Sequence, residues 1–285
     1  MQTEQWVNSE LGDQAFDFTG DALLDEWDRL HAGDREPAPS ASSVATWVAD
    51  TPRLVDDVQD QDPESLARRL QDAWRSYHRG DFARAACIGM QLGLLGSNVA
   101  NKAAGIYAAH LEPDDARRKS IYQAIVARCD ALIAVDDTWA NGHYLRAFAL
   151  GRYSQLTSIA KALAEGYGGK IKASLDATLE IEPEHAEAHT ALGLYHAEII
   201  DKIGTLVGGL TYGAKKESAL VHFKRALELT PDSAIARTEY ANGLLMLYGD
   251  KKVDEATELY VQASELAAVD AMTQLDINAA AAELE

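Results

Sequence analysis

Cysteine is nearly missing: Cys87 and Cys129 are the two in 285 residues. No CxxC pair or metal-finger spacing accompanies them, so neither a disulfide framework nor a zinc module can be assembled. Long apolar runs are missing too. Nowhere do eighteen apolar residues follow one another, which leaves no helix to insert into a membrane. The start, Met1-Gln-Thr-Glu-Gln-Trp6, has no basic stretch followed by an apolar core, as a secretory leader would. The expectation is a cytoplasmic protein with reduced thiols. Prolines number seven and aromatics make up 7%. Ala, Leu, Glu, Asp and Lys dominate instead, and such residues lose little rotamer freedom in a helix. Helix nearly throughout follows.

Positive charge is also short. The net charge is −19, and residues 1–63 hold 15 acids against three Arg. A field of that sign repels phosphate backbones, which disfavours nucleic acid and anionic lipid, while a basic protein surface would be attracted.

What the chain does contain is a segment written three times: Cys129-Asp-Ala-Leu-Ile-Ala-Val-Asp-Asp-Thr-Trp-Ala-Asn-Gly-His143, Leu175-Asp-Ala-Thr-Leu-Glu-Ile-Glu-Pro-Glu-His-Ala-Glu-Ala-His189 and Phe223-Lys-Arg-Ala-Leu-Glu-Leu-Thr-Pro-Asp-Ser-Ala-Ile-Ala-Arg237. The last two resemble the tetratricopeptide repeat, in which one helix ends and a proline-bearing link opens the next. Proline cannot continue the first helix, yet is tolerated at the start of the second, where its missing N–H has no helical partner anyway.

Pro63, Ser97, Asp137, Pro183, Pro231 and Ala268 mark the successive links. Ten residues after a marker comes a small residue where the two helices of a hairpin must approach: Ala73, Ala147, Gly193 and Ala241, with Tyr107 as the exception. Twelve before the following marker comes an inward residue: Ala85, Ile125, Ile171, Ala219 and Ala256. In the clearest copies Phe223 with Ala226, and Tyr260 with Ala263, complete that face. These distances imply hairpins of about 63–95, 98–135, 138–182, 184–230 and 232–267, with a terminal helix near 270–283. Extra length falls between the two helices of a hairpin and peaks in the fourth. The fold class is all-α, and the resemblance implies a right-handed solenoid of about five hairpins with a C-terminal capping helix.

Residues 1–62 stand outside this period and read as an acidic, largely flexible arm with little core of its own, followed by a repeat domain over 63–285. Two amphipathic pieces interrupt the arm: Leu23, Leu24, Trp27 and Leu30, then Val44, Trp47 and Val48. Each could dock on the repeats or on a partner, with docking in cis favoured because exposed Trp and Leu clusters are uncommon on monomers.

Reactive constellations are few. His185, His189 and His196 share one helix, but the order H-x-E-x-H lacks the working spacing of H-E-x-x-H, and they read as ordinary histidines with no metal. Gly166-Tyr-Gly-Gly-Lys170 fails as a phosphate loop, because Ile171 follows the Lys and no strand precedes it. Its recurrence as Tyr212-Gly-Ala-Lys215 and Tyr248-Gly-Asp-Lys251 reads as Gly closing the first helix of each hairpin in a left-handed conformation. No catalytic residue and no cofactor is expected.

In the family resembled, the first helix of each hairpin lines a concave groove that holds a peptide or helix of a partner. The corresponding positions are Asn141, Tyr144, Phe148, Arg152, Glu187, Thr190, Leu194, Glu198, Ile235, Thr238, Asn242 and Met246. Thr, Leu and Glu stand where chaperone-binding members carry cations, so the resemblance implies a scaffold or adaptor of another kind. The enlarged hairpins are also similar to those of the regulator of microtubule dynamics group and of a helical component of some bacterial solute transporters. Two further expectations come from the insertions. Tyr167, Lys170, Leu206, Leu210, Tyr212 and Lys215 would form a secondary ledge for a partner or for self-association. Alternatively, Leu156, Ile159, Leu163, Ile199, Ile203, Leu206, Val207 and Leu210 would line a cavity for a small molecule or lipid, as in a carrier or transport component.

Overall fold

The computed structural model describes Trp6 and residues 16–285. Three short helices come first: α1 (Ala22–Asp25), α2 (Trp27–Leu30) and α3 (Ala41–Asp50). Hairpins follow: α4 (Pro63–Arg79) with α5 (Phe82–Met90), then α6 (Ser97–His110) with α7 (Asp115–Val135). Where a third hairpin was expected, α8 (Ala140–Gln155) closes the first compact unit, and α9 (Ile159–Ala164) and α10 (Tyr167–Ile181) open the second. The fourth pairs α11 (Ala186–Tyr212) with α12 (Lys216–Leu229), the fifth α13 (Ala234–Tyr248) with α14 (Val253–Ser264), and α15 (Ala271–Ala282) closes the chain. These bounds agree closely with the repeat ruler.

Local chemistry sets the ends. Asp62 accepts a hydrogen bond from the Ser65 N–H and Pro63 opens α4, while Gly80 ends it at φ 92°, a conformation that favours glycine. Asp81, Asp114 and Ser233 cap α5, α7 and α13 in the same way. At the mid-hairpin turns the expectation for glycine holds at Gly213, left-handed at φ 67°. Gly249 also takes a positive φ, but with ψ −141° it leaves the helical basin altogether. In the third hairpin the expected residue is wrong: Gly168 is helical, and Gly166, at φ 65°, makes the turn ahead of α10. The insertion α9 has already ended the preceding helix, so Gly168 has no helix to close.

Contacts divide the chain into two compact units. The first holds Met1–Arg29, Glu36–Thr157 and Asp270–Met272, and the second holds Leu30–Arg35, Ser158–Val269 and Thr273–Glu285.

In the first unit α4 packs on α6 and α6 on α8, so consecutive first helices are neighbours, as a hairpin solenoid requires. Trp74, Tyr77, Tyr107, Tyr122 and Ile125 are fully buried. The small residues expected at hairpin contacts, Ala73 and Ala147, are buried. Asp270 returns to α4, its carboxylate 2.8 Å from Nδ1 of His78, with both groups buried. Of the arm expected to have little core, residues 1–5 and 7–15 lie outside the described residues; in the rest Leu23, Trp27, Val44, Leu54 and Val55 are buried in this unit. Trp27 meets Trp74 edge to face at 5.9 Å, and Trp47 meets Trp139 at 5.3 Å. Both amphipathic pieces thus dock in cis, which removes the aromatic surface that would otherwise face water.

In the second unit α11 packs on both α12 and α13. Phe223 is fully buried and stacks on Tyr240 with centroids 5.1 Å apart. Its ring slides between two glycines. A methyl group at Gly193 would come within 2.6 Å of it, and one at Gly243 within 2.5 Å. The 27 residues of α11 are not continuous, because Gly204 breaks the helix at φ 78° and ψ 158°. Ile277 and Ala280 of α15 pack on Ala234 and Ala263, capping the last hairpin.

Candidate peptide-holding face

In a hairpin solenoid the first helices present one continuous row of side chains, and in the first unit that row carries part of the chain itself. Arg75 of α4 donates from Nε to the Phe18 carbonyl at 3.0 Å and from Nη2 to the Gly20 carbonyl at 2.9 Å. Gln71, one turn earlier, donates to the Pro39 carbonyl at 2.9 Å. Asn98 of α6 places Nδ2 2.9 Å from one carboxylate oxygen of Glu36 and 3.2 Å from the other. Asn141 of α8 donates to the same carboxylate at 2.6 Å. Glu36 is only 8% exposed. A buried carboxylate needs such donors, because desolvation without hydrogen bonds is prohibitive. The indole N–H of Trp27 holds the Glu36 carbonyl at 2.7 Å, and Ser40 then caps α3. The Glu-Pro-Ala-Pro stretch, turned at Pro39 where the Ser40 N–H donates to the Ala38 carbonyl at 3.0 Å, is therefore gripped through backbone carbonyls and one acidic side chain.

The second unit holds residues 30–35 by related means. The Glu187 N–H, in the first turn of α11 where no helical acceptor exists, donates to the Gly33 carbonyl at 3.0 Å. Arg35 lies 3.6 Å from Glu184, and His31 pairs with Asp34 at 2.9 Å in a buried contact.

Of the groove positions expected from the sequence, Asn141 and Tyr144 are buried in the first unit. Phe148 turns its ring over Gly105, where a methyl would approach to 2.8 Å, and Arg152 lies 5.6 Å above that ring. Phe148 thus also contributes to packing between α6 and α8. In the second unit Thr190 and Thr238 are buried and bond back to the Ala186 and Ala234 carbonyls of their own helices. Glu187, Leu194, Glu198, Ile235, Asn242 and Met246 are half-exposed. Leu194 and Met246 rest on the Phe223 cluster, and Asn242 is held by Tyr260 at 2.6 Å. Sequence reasoning missed Gln71, Arg75 and Asn98. The ruler counted from Pro63 would have reached Trp74, the neighbour of Gln71 and Arg75 on α4.

On the ledge, Leu206 is 76% and Leu210 82% exposed, Val207 is also exposed, and Lys170 and Lys215 face water. Tyr212 packs on the α10 backbone at Gly168, where a methyl would stand 2.9 Å from its ring. Lys170 lies 5.5 Å from the Tyr167 ring. Ile159 and Leu163 are exposed as well, whereas Leu156, Ile199 and Ile203 are half-buried and Ile199 packs on the Phe223 cluster.

His185 serves as a helix cap, its Nδ1 accepting from the Ala188 N–H. His189 and His222 approach with Nδ1 atoms 2.9 Å apart, and His196 stacks on His222 at 6.0 Å. Burial lowers the pKa of all three, to about 4 for His196 and for His222, with Lys172 adding to the shift of both. Among the described residues no three His, Cys, Asp or Glu side chains form a metal-binding group. Cys129 is fully buried and its thiol is pushed up to about 12, the opposite of a nucleophile's tuning. No helix among the described residues is long and apolar enough to cross a membrane.

The family model described as regulator of microtubule dynamics protein 1-3 matches residues 97–284. No curated protein matches the sequence. Among solved structures, a thermophilic tetratricopeptide protein of Thermus thermophilus is similar at a TM-score of 0.55 and 16% identity, over 76% of this chain and 99% of that one. At that identity the likeness establishes the fold, which is all-α and of the tetratricopeptide type.

Proposed function

We propose, from the premise that this chain belongs to the family of regulator of microtubule dynamics protein 1-3, that it is a non-catalytic scaffold whose first-helix faces hold an extended segment or helix of another protein. One observation carries the proposal: side chains of α4, α6 and α8 grip the arm of the chain itself through the Phe18 and Pro39 carbonyls and the Glu36 carboxylate. A surface able to do this in cis has the donors to do it in trans. The family's name attaches it to the dynamics of a protein polymer, a role that suits a holding surface rather than a reacting one.

In the second unit the corresponding face is that of α11 and α13. Glu187, Leu194, Glu198, Ile235 and Met246 are half-exposed there, with aliphatic anchors between acids. The acids, like the chain's net charge of −19, favour a partner with basic residues at that face. Fluorescence polarisation against a degenerate library of nine-residue peptides tests the proposal. Ile235→Glu and Glu198→Lys should each weaken the selected peptides at least tenfold while leaving the melting temperature nearly unchanged. Unaltered affinities in both variants would move the partner face elsewhere.

A further inference from the structure

We infer that the face formed by α4, α6 and α8 is a recognition site for an extended peptide presenting a carboxylate, and that residues 36–39 are an internal occupant which such a peptide displaces. The inference rests on the scaffold function proposed above and names the ligand chemistry of its first unit.

The grip is of the peptide-binding kind. Gln71 reaches the Pro39 carbonyl, an atom every residue supplies, whereas Asn98 and Asn141 converge on a carboxylate. Recognition is therefore tolerant of sequence along the backbone and selective at one position. Exchanging the Glu36 carboxylate for a peptide's own keeps the buried amides paired, so displacement avoids the cost of stranding them.

The internal occupant also fits incompletely. Oδ1 of Asn98 and Oγ of Ser97 are buried with no hydrogen-bond partner, although both residues are more than nine-tenths buried. The occupant cannot supply backbone donors at residues 37 and 39, since both are proline. A peptide with ordinary residues beside its acid brings N–H groups that the chain's own segment lacks. Strain points the same way. Arg35, immediately before Glu36, has φ 52°, the one positive φ at a non-glycine among the described residues. A side chain at that φ is disfavoured, and release of the segment relaxes it.

The probe is a fluorescein-labelled peptide of residues 33–41 with both prolines replaced by alanine, titrated into full-length chains. The Glu36→Ala chain should bind it at least tenfold more tightly than wild type, since the internal occupant's charge-assisted contacts to Asn98 and Asn141 are gone. Replacing the peptide's Glu by Gln, or adding Asn141→Leu to the chain, should remove the gain. A folded Glu36→Ala chain that binds no better than wild type, or that ignores the Glu-to-Gln change, overturns the inference. A degenerate library run alongside separates the two levels. Library peptides that bind without preference for an acid sink the inference alone, whereas no binding by any peptide to either chain sinks the scaffold function as well. Should Glu36→Ala not fold, hydrogen exchange on wild type decides. At about 10 mM peptide, above the millimolar effective concentration of a tethered segment, the amides of Asp34, Arg35, Glu36, Ala38 and Ser40 should exchange faster, and unchanged exchange overturns the inference.

Discussion

Gly243→Ala is the sharpest test of how the second unit is packed, because helix propensity and packing predict opposite signs. Gly243 lies inside α13, where alanine should stabilise by about 1 kcal/mol on propensity alone. The added methyl, however, would stand 2.5 Å from Cε2 and 2.7 Å from Cζ of Phe223. That ring cannot retreat: it is fully buried, stacked on Tyr240, and faces Gly193 on its other side. Overpacking of this kind costs about 1–3 kcal/mol. Net of propensity this is about 0–2 kcal/mol, and at about 2–4 °C per kcal/mol for a chain of this size the melting temperature should fall by up to about 8 °C. Gly169→Ala in α10 is the control, since nothing lies within 4 Å of its methyl, and it should be neutral or stabilising. Phe223→Leu supplies the second arm. It costs stability itself, but it should shrink the Gly243→Ala penalty, because the two residues share one contact. Urea unfolding followed by circular dichroism at 222 nm measures wild type, the three single variants and the Gly243→Ala/Phe223→Leu double variant. A Gly243→Ala chain as stable as the Gly169→Ala control, or penalties that simply add, would refute the packing argument.

Two further outcomes follow from the second unit. Histidine titrates near 6.5 in an unfolded chain, whereas folding holds His196 and His222 near 4. Between those values the unfolded chain binds more protons, so this contribution to stability is complete at pH 7 and is lost as pH falls from about 6.5 towards 4. Lys172, Lys215 and Arg225 reinforce the trend and Asp176 opposes it. His222→Phe should flatten the dependence of the urea midpoint on pH across that window, and an unchanged slope would contradict the assignment. On the ledge, the exposure of Leu206 and Leu210 predicts that replacing both with Ser leaves the melting temperature within about 2 °C. Weaker self-association in sedimentation would make the ledge a contact, whereas a broad loss of stability would show those side chains to be core.

The hairpins were legible because their packing is local and repeated. Ala73, Ala147, Gly193 and Ala241 recur at a fixed distance from each link, and all are buried where helices meet. Gly193 could be read as a close approach, but Phe223 as the object approached could not. The docked arm was legible only as two amphipathic stripes. Its decisive contacts join Glu36 to Asn98 and Asn141, 62 and 105 residues away, and no periodicity links them. Propensity also mistook the arm: Gly, Pro and many acids suggest a solvated segment, while Trp27 and Val44 bury themselves against the repeats. Phe148 shows the converse limit. A groove position counted from a ruler cannot reveal that the facing residue is Gly105, which lets the ring turn inward.

The central claim, that the first-helix face holds a segment of another protein, is tested most directly by photocrosslinking from two positions in one hairpin stack. A benzophenone side chain at Ile235, half-exposed on α13, would probe the face itself. The same group at Lys224, exposed on α12, would probe a second helix. With the selected peptides or their parent proteins present, the account predicts crosslinks from Ile235, mapped by mass spectrometry to one extended or helical stretch, and none from Lys224. Equal capture from both positions, or capture from Lys224 alone, would contradict it.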